Sequence, residues 1–259
     1  MRDFTLSQCS LFLRTLIQKH YTINTFSDFI EKPKEKCTIL RHDVDKLPEN
    51  SLVFAHIQSR LGIKGTYYFR AKPVSFNKKI ILEIASMGHE IGYHYETMDT
   101  CNGNVDKAYD EFCRNLEMFR KIVPVKTACM HGSPMSKWDS RDIWQKYNYK
   151  NLGIIAEPYF DIDYNQVFYI TDTGRMWDGS KISVRDKPKH QVVSQWPSYH
   201  STSDIIKAVN EETFPYKVMM TVHPQRWSDN YLAWAKELVL QNVKNTVKRG
   251  LILARGKKL

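Results

Sequence analysis

Leu40-Arg41-His42-Asp43-Val44-Asp45 ends a β-type run that begins at Thr38, and Gly88-His89-Glu90-Ile91-Gly92-Tyr93-His94 brings the next dense group of ionisable residues. Between them, residues 50–61 carry Leu52, Val53, Ile57 and Leu61 at helical spacing, closed by Gly62 and Gly65. Thr66-Tyr67-Tyr68-Phe69 then reads as a strand. The same alternation continues outward. Residues 79–87 read as a helix stopped by Gly88, with 89–94 extended after it. Residues 106–122 form a helical pattern with Tyr109, Phe112, Leu116 and Phe119 on one face, and 127–130 read as a strand ending at His131-Gly132-Ser133-Pro134. Further on, 167–170 and 217–222 read as strands, 229–248 as a long helix, and Leu251-Ile252-Leu253 as a candidate closing strand.

Strands alternating with helices imply parallel βαβ units. The ionisable clusters Asp43/Asp45, His94, His131 and His223 each fall at or directly after a strand end. In a barrel of parallel strands those ends share one face, so four separated segments converge. The expected fold is therefore α/β, a distorted (β/α) barrel of about seven parallel strands. A chain of 259 residues suits one such domain over 1–259.

Composition narrows the function. Hydrophobic residues at 42% and charged residues at 25% describe an ordinary globular chain, excluding disordered and collagen-like classes. Apolar runs such as Val218 to Val222 are of strand length, and the run at Ser10 to Leu13 is too short for a signal peptide, so a cytoplasmic setting without a transmembrane segment is expected. Five cysteines, odd in number and without a CxxC pair, fit reduced thiols. Lysine and arginine exceed aspartate and glutamate by 38 to 28, a net charge of +10. That excess suits an anionic partner such as a membrane face or a phosphorylated substrate, and equally a solvated basic surface. It thickens toward Arg249, Arg255, Lys257 and Lys258, with no nucleic-acid-binding signature beside it, and no nucleic-acid partner is expected. P-loop, G-x-S-x-G and G-x-G-x-x-G patterns are absent.

The residues themselves suggest metal chemistry. On an extended strand, residues two apart point the same way, so Asp43 and Asp45 lie side by side, and a cation or a proton relieves their repulsion. A helix cap is the alternative for either one. His89 and His94 differ by five and face opposite sides, so they do not share an ion. Glu96, two past His94, is placed to orient it.

This combination resembles the polysaccharide deacetylase family, the NodB-homology domain of carbohydrate esterase family four. Leu40 to Asp45 is similar to its D-x-D motif, Gly88 to His94 to its G-H-E-I-G-x-H motif, and Met220-Thr221-Val222-His223-Pro224 to its L-x-H motif with Thr for Leu. The matched order spans residues 38 to 224. The resemblance implies a divalent metal, usually zinc, and hydrolysis of N-acetyl or N-formyl groups on amino sugars. By position it makes Asp43 the base that deprotonates a metal-bound water, Asp45 and His94 metal ligands, and His223 the acid that protonates the leaving amine. A carbohydrate substrate, linked to nucleotide or lipid phosphate, in surface-polysaccharide or O-antigen biosynthesis is the setting it implies. A non-sugar amide and an inactive carbohydrate-binding member are the competing readings.

Two departures stand out. The family's second metal histidine would fall at Met98, and the Arg of its third motif is replaced by His131. His131 is the expected third ligand, with Asp99 as the rival and a His131–Asp43 pair as a further reading. Asp172-Thr173-Gly174-Arg175-Met176-Trp177-Asp178-Gly179 loosely resembles the fourth motif. From it, Asp172 is expected to orient or bind, Arg175 to steady Asp43, and Trp177 to stack on a sugar ring. Arg226, followed by Trp227, is expected to hold an anionic, ring-bearing substrate. His20, His56, His190 and His200 read as structural or solvated.

Overall fold

The computed structural model describes residues 2–133, 136–177 and 196–256. Its centre is a seven-stranded sheet in which every pairing is parallel. The strands are β1 (Thr22–Asn24), β2 (Cys37–Val44), β3 (Thr66–Phe69), β4 (Glu90–Tyr95), β5 (Ala128–Met130), β6 (Phe168–Thr171) and β7 (Lys217–Val222). They lie in the order β5-β4-β3-β2-β7-β6, with β1 paired to β2. Among the described residues no ladder joins β5 to β6, so the expected distorted barrel is present as a curled sheet left open on one side. An isolated bridge from Thr127 to Ala156 begins to cover that opening.

Helix α1 (Leu6–Gln18) precedes β1, while α2 (Phe26–Glu31), α3 (Pro48–Arg60), α4 (Lys78–Ser86), α5 (Thr97–Thr100), α6 (Val105–Arg120), α7 (Pro158–Asp161) and α8 (Thr202–Asn210) lie between strands, and α9 (Tyr231–Gly256) follows β7. The N-terminal apolar run belongs to α1, which Thr5 caps by accepting from Gln8 N, and which buries Phe12, Leu13 and Leu16. The expected closing strand at 251–253 is instead part of α9. Three apolar residues carry too short a period to choose between strand and helix, and a single glycine, Gly250, costs a helix only about 1 kcal/mol.

The two-residue period of the strands sorts their side chains. Leu40 and Val44 of β2, Tyr67 and Phe69 of β3, and Ile91, Tyr93 and Tyr95 of β4 join the larger apolar cluster under the helices. Ile39, Tyr68, Cys129, Tyr169 and Met219 form a second cluster, covered by Phe26, Ala156, Ile162 and Tyr164. All eight residues of β2 are buried, as both faces of a parallel sheet are when covered. Arg41 and Asp43 share the alternation of Ile39, on the side of the second cluster.

Two glycines of the 88–94 motif have separate mechanical roles. Gly88 ends α4 with φ +84°, a left-handed position that suits a residue without Cβ. Gly92 lies against the Tyr68 ring, where any Cβ would collide.

Candidate active site

Every strand of the main path places a polar residue at or just past its C-terminal end: His131 after β5, His94 on β4, Arg70 after β3, Asp43 and Asp45 at β2, His223 after β7 and Asp172 after β6. Their side chains form one connected cluster.

Asp43 is held by Arg41. The guanidinium donates through Nε to Oδ1 at 2.8 Å and through Nη2 to Oδ2 at 2.6 Å, a bidentate pair with both residues buried. Arg41 lies against the rings of Tyr68 and Tyr159, 5.8 and 5.4 Å from their centroids. The residue expected for this task, Arg175, is elsewhere: it donates to Trp234 O at 2.8 Å and stacks over Phe4 and Trp234. The correction has a simple cause. Arg41 and Asp43 are two apart on one strand and share a face, the same spacing that pairs the two aspartates, so the signal lay in the D-x-D segment itself.

His94 Nδ1 lies 2.9 Å from Cys129 O. A carbonyl only accepts, so Nδ1 donates and Nε2 is the nitrogen turned into the cluster. Nε2 faces Asp43 Oδ2 and Asp45 Oδ1, each at 3.6 Å. Cys129 O, and not Glu96, therefore orients His94. Glu96 instead meets His131 Nδ1 at 3.3 Å, which turns His131 Nε2 to within 3.4 Å of Asp45 Oδ1. Arg70 clamps Glu96 with two bonds of 2.9 and 2.8 Å and also donates to Asp45 O at 3.0 Å. Burial opposes ionisation of Glu96, yet His131 and Arg70 outweigh it and hold the carboxyl well below the usual range.

The donor atoms of Asp45, His94 and His131 lie within 4.8 Å of one another. Asp45 Oδ1 is buried with no hydrogen-bond partner among the described residues, an atom aimed at a cation's position. Burial penalises the charged form of Asp45, but the neighbouring imidazoles of His94, His131 and His223 hold its carboxyl well below the usual range. Two imidazoles and a carboxylate are a donor set that zinc accepts, with a fourth position left for substrate or water. A second grouping, Asp43, His94 and Cys129, is wholly buried and shares His94 with the first. Asp99 belongs to neither group; it lies in α5, where Met98 packs into the core. The His131–Asp43 pairing is replaced by His131–Asp45 and His131–Glu96.

On the other flank stands His223. Its Nδ1 is 2.6 Å from Asp172 Oδ1, and its main-chain N donates to Asp172 Oδ2 at 2.9 Å. Nε2 is then directed toward Asp45 Oδ2, at 3.9 Å. Burial and Arg226 lower the His223 pKa, whereas Asp172 and Asp45 raise it, and the net direction is up. Asp172 also accepts from Trp227 Nε1 at 2.7 Å and from Arg226 Nη1 at 2.8 Å. Gln225 Nε2 reaches Asp45 Oδ2 at 3.1 Å.

Two expectations about substrate contacts fail here. Trp177 is buried, bonded to Thr202 Oγ1 at 2.9 Å and stacked on Phe4, so its ring is closed to a sugar. Arg226 and Trp227 are likewise buried and turned onto Asp172, where they fix the acid–imidazole pair, so the Arg226 guanidinium is engaged there and not held out to an anionic substrate. Asp178, Gly179, Pro134 and His190 lie outside the described residues, as do Lys257 and Lys258.

The remaining motif histidines are structural. His42 points toward α3, between Thr66 O and Gln58 and stacked on Tyr67, and burial lowers its pKa to about 3. His89 accepts from Gly65 N and bonds Ala55 O on the side away from His94, as the five-residue separation implies. His20, His56 and His200 are exposed and stand apart from the cluster.

No protein-family model matches the sequence, and no curated protein matches it as a relative. Solved structures similar to the chain include a mutant of a CE4 family pseudoenzyme, at 14% identity and a TM-score of 0.46, covering 83% of this chain and 64% of that one. The chain thus spans less than two thirds of that protein's length. The Xyl-CE4 domain of a multidomain xylanase from the hindgut metagenome of Trinervitermes trinervoides is similar at 16% identity, TM-score 0.41, covering 82% of this chain and 85% of that one. PdaA of Bacillus subtilis, a family 4 carbohydrate esterase, is similar at 17% identity, TM-score 0.41, with 90% and 83% covered.

Proposed function

We propose that this chain is a metal-dependent amide hydrolase that removes an acetyl or formyl group from an amino sugar. The observation that carries the reading is the arrangement of three protein-fixed units around one point. Asp45, His94 and His131 converge their donor atoms, Asp43 is locked on one side by Arg41, and His223 is locked on the other by Asp172. The amino-sugar substrate rests on the motif resemblance of residues 38–224, and the sheet that gathers all these residues supports a single catalytic domain over 1–259.

Asp45, His94 and His131 would hold the divalent cation, with zinc favoured by the two imidazoles. Such a cation supplies Lewis acidity and lowers the pKa of water. Asp43, held in fixed orientation by the Arg41 fork, takes the proton as water adds to the acyl carbon. His223 donates from Nε2 to the departing nitrogen as the C–N bond breaks, releasing the free amine and the carboxylic acid. Asp172 fixes the His223 tautomer and stabilises the imidazolium. Glu96 and Cys129 O fix the two other rings, so that each presents Nε2. A cytoplasmic enzyme of surface-polysaccharide biosynthesis, including O-antigen or lipopolysaccharide, acting on nucleotide- or lipid-linked sugar, is the setting this reading takes from its resemblance and basic charge.

The test pairs elemental mass spectrometry of the purified protein with acetate release from N-acetylated amino-sugar oligomers. Near-stoichiometric zinc and release that stops on chelation support the reading. Metal without release would turn it to the non-sugar amide. No metal after zinc reloading, with carbohydrate still bound, would replace it with an inactive binding protein.

A further inference from the structure

Helix α9 carries a buried polar pair and an exposed apolar stripe. The residues it turns onto the body of the protein include Gln241 and Asn245, 4% and 6% exposed. Gln241 Nε2 donates to Asn245 Oδ1, and Asn245 Nδ2 to Gly174 O at 2.9 Å. Among the residues it turns outward are four apolar ones: Leu232, Val239, Val243 and Val247 are 77%, 62%, 60% and 55% exposed. Steps of seven, four and four place these four on one helical face. An amphipathic helix of a globular protein normally buries such a stripe, and a contiguous exposed one marks a contact surface.

Charge selects the occupant. Lys236 and Lys244 are exposed beside the stripe, while Glu237, half-buried, is paired with Lys46 at 3.7 Å. Among the described residues of α9, no exposed side chain is acidic. A second copy docking through this face would bring lysines against lysines on a chain of net charge +10. An anionic bilayer surface meets both requirements at once: its acyl boundary takes the valines and leucine, and its headgroups take the ammonium groups, which long lysine stems carry outward. No described helix is long and apolar enough to cross a membrane, which leaves the in-plane arrangement.

We infer that the outward face of α9 docks in the plane of an anionic lipid surface. The inference stands apart from the catalytic reading, although docking has a consequence for it. Asn245 and Trp234 of α9 hold Gly174 and Arg175 in the loop that begins with Asp172, so a bilayer on α9 stands beside a wall of the site.

Co-sedimentation of the full chain with vesicles tests this, using phosphatidylcholine alone and phosphatidylcholine mixed with phosphatidylglycerol. The expected result is pelleting with the mixed vesicles only, weakening as salt is raised. The double variant V239E/V243E should lower the partition about tenfold or more, since two buried valines are lost from the contact. K236E/K244E, which keeps the apolar stripe, should lose the preference for anionic lipid. Both variants change exposed residues, and unchanged circular dichroism checks their folding. No pelleting of the unaltered chain, equal pelleting of V239E/V243E, or equal binding to both vesicle types overturns the inference. So does a dimer seen by light scattering that V239E/V243E dissociates, since a second copy would then occupy the face.

Discussion

Arg41 and Asp43 face each other across one two-residue step of β2, joined by hydrogen bonds of 2.8 and 2.6 Å with both side chains buried. A buried ion pair contributes little net stability, but removing one partner leaves the other charged and unsolvated. Arg41→Met is therefore expected to cost about 3–5 kcal/mol in urea unfolding. Arg41→Lys keeps the charge and loses the planar fork. It should fold and bind metal normally, while kcat falls by about tenfold to a hundredfold at unchanged KM. A fully active Arg41→Lys variant would show that Asp43 needs a cation nearby but no fixed orientation.

Glu157 gives the clearest pH dependence. It caps α7, accepting from Met130 N at 2.9 Å and Tyr159 N at 2.6 Å, and burial raises its pKa from 4.5 to about 7. In the native protein it keeps its proton up to about pH 7, whereas the unfolded chain releases it near 4.5. The native state thus binds more protons between those values, and stability falls as pH rises through the window. The contribution is fully present below pH 4.5 and is lost above about 7, worth at most about 3 kcal/mol. Glu157→Gln should flatten that slope when unfolding midpoints are compared at pH 5 and 7.5. Parallel slopes for the two proteins would mean that Glu157 is ionised when folded.

Metal removal should act on stability as well as on turnover. A cation bound by the native state alone raises the unfolding free energy by mass action. Dialysis against a chelator is expected to lower the melting temperature, and zinc to restore it. Glu96→Gln leaves all three donor residues in place but weakens the hold on the His131 ring, and should reduce zinc affinity by about tenfold to a hundredfold. His131→Ala should reduce it further. Zinc affinity unchanged in His131→Ala would remove that residue from the ligand set and leave the grouping of Asp43, His94 and Cys129 to account for binding.

Gly92→Ala tests the packing beneath the site. An added methyl collides with the Tyr68 ring, on which Arg41 rests, so Tyr68 and then Arg41 must move. Overpacking of this kind costs about 1–3 kcal/mol. Calorimetry should show that loss together with a fall in kcat, because the displaced ring carries the guanidinium that orients Asp43. A loss of stability with kcat intact would separate the two effects.

The strand ends were legible because each ionisable cluster follows a short apolar run, and one-dimensional order then predicts convergence once the strands are parallel. Asp45, His94 and His131 are brought together by that topology alone. The substrate contacts were not legible. Arg175 and Trp177 lie in a loop and Arg226 in a single 3-10 turn, none of them with a period to read, and nothing in a sequence says whether an indole in a turn faces solvent or, as here, Phe4 and Thr202. Arg41 was legible in principle by the two-residue alternation applied to the aspartates. It was overshadowed by the Arg-bearing motif expected on another strand. The exposed stripe of α9 is a tertiary fact: its valine spacing is visible in sequence, but only packing shows that the stripe points out.

The acid–imidazole pair yields the sharpest kinetic test. Asp172 Oδ1 fixes His223 Nδ1, and Oδ2 takes His223 N and Trp227 Nε1, so the carboxylate serves four donors with Arg226 included. His223→Gln removes the proton donor and should lower kcat by about a hundredfold to ten-thousandfold with KM and metal content unchanged. Asp172→Asn replaces one acceptor oxygen with a donor, allowing the His223 ring to take the other tautomer, and should approach the same loss. If the two residues act as one unit, the double variant is hardly slower than His223→Gln alone. Multiplying losses would mean that Asp172 works through Arg226 or Trp227 on substrate placement, independently of His223. A substrate with a good leaving group separates these outcomes further: it needs no proton at nitrogen, so it should restore much of kcat in His223→Gln and leave an Asp43→Asn variant inactive.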